Sequence, residues 1–177
     1  MCRLLLGSQI LQTDLNERNI TLKNLLSNIW QRLPGPLRRW SVRAANTKFT
    51  VTAAGIVRNS EGQVLIIKHR FRPGSGWGIP GGFVEAGEQA EAALRREFCE
   101  EIGLELEQLR IFAARTFERQ NQIEVVFLAK ASGEPKPRSI EVERVEWFSP
   151  ELLPDALPSD QKKLIESALQ VGGEGRD

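Results

Sequence analysis

Three glutamates stand within five residues in the stretch RREFCEEIG: Glu97, Glu100 and Glu101. Like charges four apart on a helix cost it a few tenths of a kcal/mol. The crowding therefore needs either open solvent around it or a cation within it. At about 100° per residue the three side chains span about 100° of a helix circumference. Such a cluster offers only oxygen ligands. That suits a hard cation such as Mg²⁺, which keeps several waters and lets substrate phosphates complete its shell. Taken alone, the triplet reads as a solvated helix face; its surroundings decide.

The element carrying the triplet is a helix over residues 89–102. Leu94, Phe98 and Ile102 fall four apart with Ala90 beside them, and Gly103 is a good terminator. One side of this helix is apolar, so the carboxylates lie at the edge of a buried stripe. A glycine-rich loop, FRPGSGWGIPGG, leads in from Phe71 to Gly82. Glycines there let backbone approach a ligand closely. Before it, FTVTAAGIVR and QVLIIKHR read as a hairpin about NSEG. After the helix, QLRIFAARTFER and IEVVFLAKA read as a second hairpin about QNQ, and VERVEWFS as one more strand. PSDQKKLIESALQ makes a last helix with Ser159 as N-cap. Strand, strand, helix, strands, helix is an α/β domain with a mixed sheet.

Ahead of this domain, Leu22, Leu25, Leu26, Ile29, Trp30 and Leu33 follow the spacing of an amphipathic helix over 21–33, stopped by LPGP. The basic stretch LRRWSVRAANTK then reads as a linker. The helix has two readings. Its apolar face packs on the main domain or on a second copy of the chain, giving a homodimer. Alternatively it lies on a membrane surface, with Arg32, Arg38, Arg39 and Arg43 nearby. The expected division is an extension over 1–45, a domain over 46–170 and a disordered tail over 171–177.

The bulk properties narrow the classes. The 177 residues hold 24 basic and 23 acidic side chains, 24 − 23 = +1, so no nucleic-acid partner is expected. Two cysteines, Cys2 and Cys99, form neither a disulfide framework nor a CxxC metal site, and the easy reading is the cytoplasm. No apolar run reaches the roughly 20 residues of a membrane span.

The spacing around the glutamates is more telling. Gly82 is followed after five residues by Glu88, and after seven more by Arg96-Glu97-Phe98-Cys99-Glu100-Glu101-Ile102-Gly103-Leu104. This resembles the Nudix box, G-x5-E-x7-R-E-U-x-E-E-x-G-U, at every fixed position. The flanks WGIPGGFVEAGE and VEWFSPELL look like its usual lead-in and late strand. The resemblance covers roughly residues 48–169. It implies an α/β/α sandwich with a mixed central sheet, here with an N-terminal helical extension, that hydrolyses nucleoside diphosphate derivatives with Mg²⁺ or Mn²⁺. It also implies metal ligands at Glu97, Glu100, Glu101 and the Gly81 carbonyl, with one glutamate serving as base. Arg96 and Glu88 would form a supporting ion pair. A late carboxylate would come from Glu141, with Glu143 as the alternative and Glu118 and Glu124 behind them.

Physical reasoning agrees with that implication. A diphosphate repels hydroxide, so a metal must neutralise it and acidify the attacking water. A glutamate crowded by other carboxylates has a raised pKa and is suited to take the proton. Arg70, Arg72, Trp77 and Gly82 are the candidate substrate contacts. His69, flanked by Lys68 and Arg70, reads as a solvated strand end, Phe83 and Trp147 as packing residues, and Cys99 as structural. The family's accessory marks for ADP-ribose, diadenosine polyphosphate and NADH are absent: no proline between Gly103 and Pro135, no tyrosine anywhere, no SQPWPFPxS array. The competing function is a nucleotide-sensing module of the same fold without catalysis.

Overall fold

The computed structural model describes residues 23–24, 27–28 and 30–173. The chain divides into two compact units, Met1–Thr47 and Lys48–Asp177.

In the first unit, residues 23, 24, 27, 28 and 30–32 are helical. Leu22, Leu25, Leu26 and Ile29, which carry most of the expected apolar stripe, lie outside the described residues. The stretch expected as a linker is instead a helix, α1, Gly35–Ala45. Pro36 sits in its first turn, where no N–H is needed, and Pro34 lies between this helix and the helical residues 30–32. The Pro34 carbonyl accepts from the N–H groups of both Leu37 and Arg38, at 2.9 and 3.1 Å.

The second unit is built on a seven-stranded mixed sheet. Its strands are β1 (Thr50–Arg58), β2 (Val64–His69), β3 (Trp77–Gly78), β4 (Gly81–Phe83), β5 (Glu107–Phe117), β6 (Gln122–Lys130) and β7 (Val142–Phe148). Two helices flank it: α2 (Ala90–Glu97), continued by a π-helical turn Phe98–Ile102, and α3 (Ser159–Gly173). β1 and β2 are nearly continuous apolar runs because both of their faces are covered. Ala53, Val57, Leu65 and Ile67 pack with Leu94, Phe98 and Ile102 on the α2 side. Ala54, Ile56, Val64 and Ile66 pack with Ile165 and Ala168 on the α3 side. This is an α/β/α sandwich. Gly55 lets α2 come close: a Cβ there would lie 3.4 Å from both Leu94 and Phe98.

The β5–β6 hairpin forms around a 3₁₀ turn, Glu118–Gln120. The β1–β2 hairpin is closed only at Arg58↔Val64. Asn59 makes that turn, its side-chain oxygen accepting from the N–H groups of Glu61 and Gln63. Beyond it β1 lies parallel to β6 along its whole length, from Thr50↔Gln122 to Arg58↔Lys130, and pairs with β4 on its other edge. β2 turns to β3 and β7.

α3 begins at Ser159 with the Pro158 carbonyl accepting from Gln161 and Lys162, so Pro158 takes the capping place expected of Ser159. It runs to Gly173, further than its sequence pattern indicates. Ile165, the fully buried centre of its inner face, gives a direct check of this layer. Ile165→Val removes one methylene and is expected to lower unfolding free energy by about 1 kcal/mol in a denaturant titration. No helix among the described residues is long and apolar enough to cross a membrane.

Candidate active site

The sheet places Gly81 and Gly82 at the start of β4, paired across from Ala54 and Ala53 of β1. That edge meets the C-terminal end of α2, and Glu97 lies flat on Gly82. A Cβ on Gly82 would fall inside the Glu97 carboxyl group. Arg96 ties the corner together. Its Nε and Nη2 donate to the two oxygens of Glu88, each at 3.1 Å, Nη2 also donates to the Phe83 carbonyl, and Nη1 donates to Glu97 Oε1 at 3.0 Å. The fork holds the Glu88 carboxyl below its usual range, and the Glu85 N–H helps. Glu97 is thereby fixed by an arginine on one side and bare backbone on the other.

The last turn of the helix is π rather than α: the Gly103 N–H reaches the Phe98 carbonyl, five residues back, at 2.8 Å, and Gly103 is left-handed (φ 74°). π turns widen a helix and concentrate at functional sites. This one carries Glu101 inward beside Phe98 and Ile102, leaving it only 9% exposed. Burial is the first cause that pushes its pKa from 4.5 up to about 7; the charges of Glu97 and Glu141 add to it, Arg72 opposes, and Glu100 adds least. Glu100 points elsewhere. It is largely exposed and meets Arg96 Nη1 at 3.6 Å.

Glu141 comes from the loop before β7. Ligand atoms of Glu101, Glu141 and His69 all lie within 4.8 Å of one another. Glu143 is engaged instead with Lys68 at 2.9 Å, which holds its carboxyl below the usual range. Glu118 is an exposed turn residue, and Glu124 is bonded to Arg115 at 2.6 Å. His69 is not the solvated strand end its neighbours suggested: its side chain is 17% exposed and its Nε2 meets Glu141 Oε2 at 3.1 Å. Sequence reasoning passed over it because the partner is 72 residues away.

A cleft of about 520 Å³ opens beside this corner and shares its wall, with His69, Arg72, Gly81, Gly82 and Phe83 among its lining. Arg72 crosses Gly78, where no side chain would fit, and Nη2 donates to the Ile79 carbonyl at 3.3 Å. Its Nη1 is buried without a hydrogen-bond partner among the described residues. Burial lowers the pKa of this guanidinium against the pull of Glu124 and Glu101.

Three expectations are corrected by position. Trp77 lies outside the cleft lining: its ring stands edge-to-face on Phe148, 5.8 Å away, within the α3-side core. Arg70 is also absent from the lining, and its N–H donates to the Glu141 carbonyl at 2.7 Å, so it bears on the late loop through its backbone. Phe83, expected to pack, is instead exposed at the cleft. Trp147 does pack, against the α2-side core. Cys99 is exposed and free.

The donor set suits a hard divalent cation. Glu97, Glu101 and Glu141 supply oxygen beside the His69 ring, and a bound ion would relieve the burial and carboxylate charge that push the Glu101 pKa up.

Fold and corner together define a family. Residues 48–168 match the model of the NUDIX domain, and the chain belongs to the Nudix family. It is 35% identical over 118 residues to the NAD-capped RNA hydrolase NudC of Pasteurella multocida, a match covering 63% of this chain and 44% of that protein. The chain thus spans less than half the length of this curated relative. A MutT Nudix hydrolase from Burkholderia pseudomallei superposes with a TM-score of 0.61 at 29% identity, covering 68% of this chain and 98% of the other. The NUDIX domain of Shewanella oneidensis NrtR, solved with ADP ribose, shares the fold with a TM-score of 0.60 at 22% identity, over 72% and 91% of the two chains.

Proposed function

We propose that the protein hydrolyses the pyrophosphate bond of a nucleoside diphosphate linked to another moiety, with Mg²⁺ or Mn²⁺. The observation that carries this reading is the corner where ligand atoms of Glu101, Glu141 and His69 lie within 4.8 Å of one another, with Glu97 adding to the charge around Glu101, beside a cleft that His69 and Arg72 line. Glu97, Glu101 and Glu141 would hold the metal, with the Gly81 carbonyl at the wall and Glu100 at the rim. A bound divalent ion supplies charge neutralisation of the diphosphate and acidification of a water.

The chain's own residues do the rest. Glu101, a buried carboxylate at this corner, is placed to take the proton of the attacking water. Arg72 lines the cleft and brings a positive charge to the side a substrate phosphate would take. Exposed Phe71 and Phe83 line the same cleft and offer ring faces to a base or sugar. Arg96 and Glu88 hold Glu97 in place and touch no substrate. Every carboxylate of the box is present, which favours hydrolysis over a sensing module without catalysis.

Release of phosphorylated product from ADP-ribose, NAD⁺, NAD-capped RNA and nucleoside triphosphates, with and without Mg²⁺ or Mn²⁺, tests the proposal. Metal-dependent cleavage of one class supports it and names the substrate. Tight nucleotide binding without cleavage on any of them transfers the case to the sensing module.

A further inference from the structure

His69 is the only histidine of the chain, and both of its ring nitrogens are engaged. Nδ1 accepts the Phe71 N–H at 3.3 Å, so the proton of the neutral ring resides on Nε2. Nε2 is the atom that meets Glu141 Oε2, at 3.1 Å. The Phe71 ring stands edge-on to the imidazole with centroids 6.3 Å apart, and the β2–β7 register shifts between Lys68 and His69, which sets His69 opposite Val142.

Glu141 needs such a donor. Its side chain is half exposed, on a loop, and faces the buried carboxylate of Glu101, whose charge repels it. The loop backbone is pinned by the Arg70 N–H donating to the Glu141 carbonyl and by the Glu141 N–H donating to the Ser139 hydroxyl oxygen. Neither bond restrains the carboxylate. Left to Coulomb repulsion, it would swing out to water.

We propose that His69 is a positioning residue, whose Nε2–H holds the Glu141 carboxylate in the corner against Glu101. This rests on the metal-dependent reading above. His69 is not itself a ligand, because one nitrogen is filled by a backbone N–H and the other carries the proton given to Glu141. An imidazole Nε2–H donated to a ligating carboxylate is an outer partner, whose loss typically costs about 10–100-fold in metal affinity.

The first measurement needs neither metal nor substrate. Long-range ¹H–¹⁵N spectra of the metal-free protein at pH 8 should show the Nε2–H tautomer; an Nδ1–H tautomer overturns the proposal whatever the protein's activity. The second is Mn²⁺ affinity by calorimetry or electron paramagnetic resonance. His69→Leu should weaken it at least tenfold, while His69→Gln, which keeps a donor in similar reach, should stay within about threefold of wild type. His69→Leu combined with Glu141→Gln should bind no more weakly than Glu141→Gln alone. Additive losses would mean that His69 acts directly and would overturn the proposal. Absence of Mn²⁺ binding by the wild-type protein would instead strike at the metal-dependent reading, with the tautomer still deciding the His69–Glu141 bond.

Discussion

Glu101→Gln is expected to lower metal-dependent turnover by about 10³-fold and, in the metal-free protein at pH 8, to raise the melting temperature. The loss follows from removing a ligand and proton acceptor, for which about 10²–10⁴-fold is usual. The gain follows from linkage. In the unfolded chain a glutamate ionises near 4.5, whereas in the fold Glu101 is pushed up to about 7 by burial and then by Glu97 and Glu141. As pH rises from about 4.5 to about 7, the unfolded state gives up its proton while the folded state keeps it. Stability therefore falls through that window, and the cost stays constant above it. A displacement of this size corresponds to at most about 3 kcal/mol. Glutamine has the same shape and cannot ionise. The variant should melt several degrees higher at pH 8 in EDTA, with little difference at pH 4. Mg²⁺ should then raise the wild-type melting temperature and move the variant much less. A metal-free variant that melts lower than wild type at pH 8 would show that Glu101 is not electrostatically strained.

The box and its stripe were legible because they are local and periodic. Leu94, Phe98 and Ile102 recur at helical spacing, and all three are buried. What escaped the sequence lies in choices that residue types do not encode. The π turn depends on which carbonyl the Gly103 N–H selects, and Glu101 rather than Glu100 is turned inward as a result. The β1–β6 parallel pairing joins residues about 70 apart, and no local pattern announces it. A tryptophan in a glycine-rich loop looks like a stacking platform, yet Trp77 has an aromatic partner, Phe148, on a strand too distant in sequence to connect with it. The aromatic residues open to the cleft are instead Phe71, at the start of that loop, and Phe83, just after it. The choice between Glu141 and Glu143, open in the sequence, is narrowed by their partners: Lys68 engages one, while His69 and Glu101 adjoin the other.

The adjacent glycines of β4 should fail in opposite ways when each is changed to alanine. At Gly81 the new Cβ meets backbone of the neighbouring strand: it would collide with the Ala53 carbonyl and stand 2.6 Å from Ala54 Cα. β1 cannot retreat, since β6 holds it from Thr50 to Arg58 on its other edge. Overpacking against a fixed backbone costs about 3 kcal/mol, and at roughly 2–4 °C per kcal/mol in a domain of this size the melting temperature should drop by roughly 10 °C. At Gly82 the nearest atoms the Cβ meets are the outer side-chain atoms of Glu97, from Cγ to Oε1, which can rotate aside if the Arg96 bond gives way. Rotation spares the fold but breaks the Arg96 Nη1–Glu97 Oε1 bond and carries a proposed ligand off its position. Gly82→Ala should therefore melt within a few degrees of wild type while losing about 100-fold in metal-dependent activity, as misplacement of a reacting group by about 1 Å can cost. Melting curves with activity at 20 °C separate the two. If Gly82→Ala unfolds as early as Gly81→Ala, Glu97 is locked against rotation and belongs to the packed frame of β4. If Gly82→Ala retains full activity, the Glu97 carboxylate is not where the chemistry needs it.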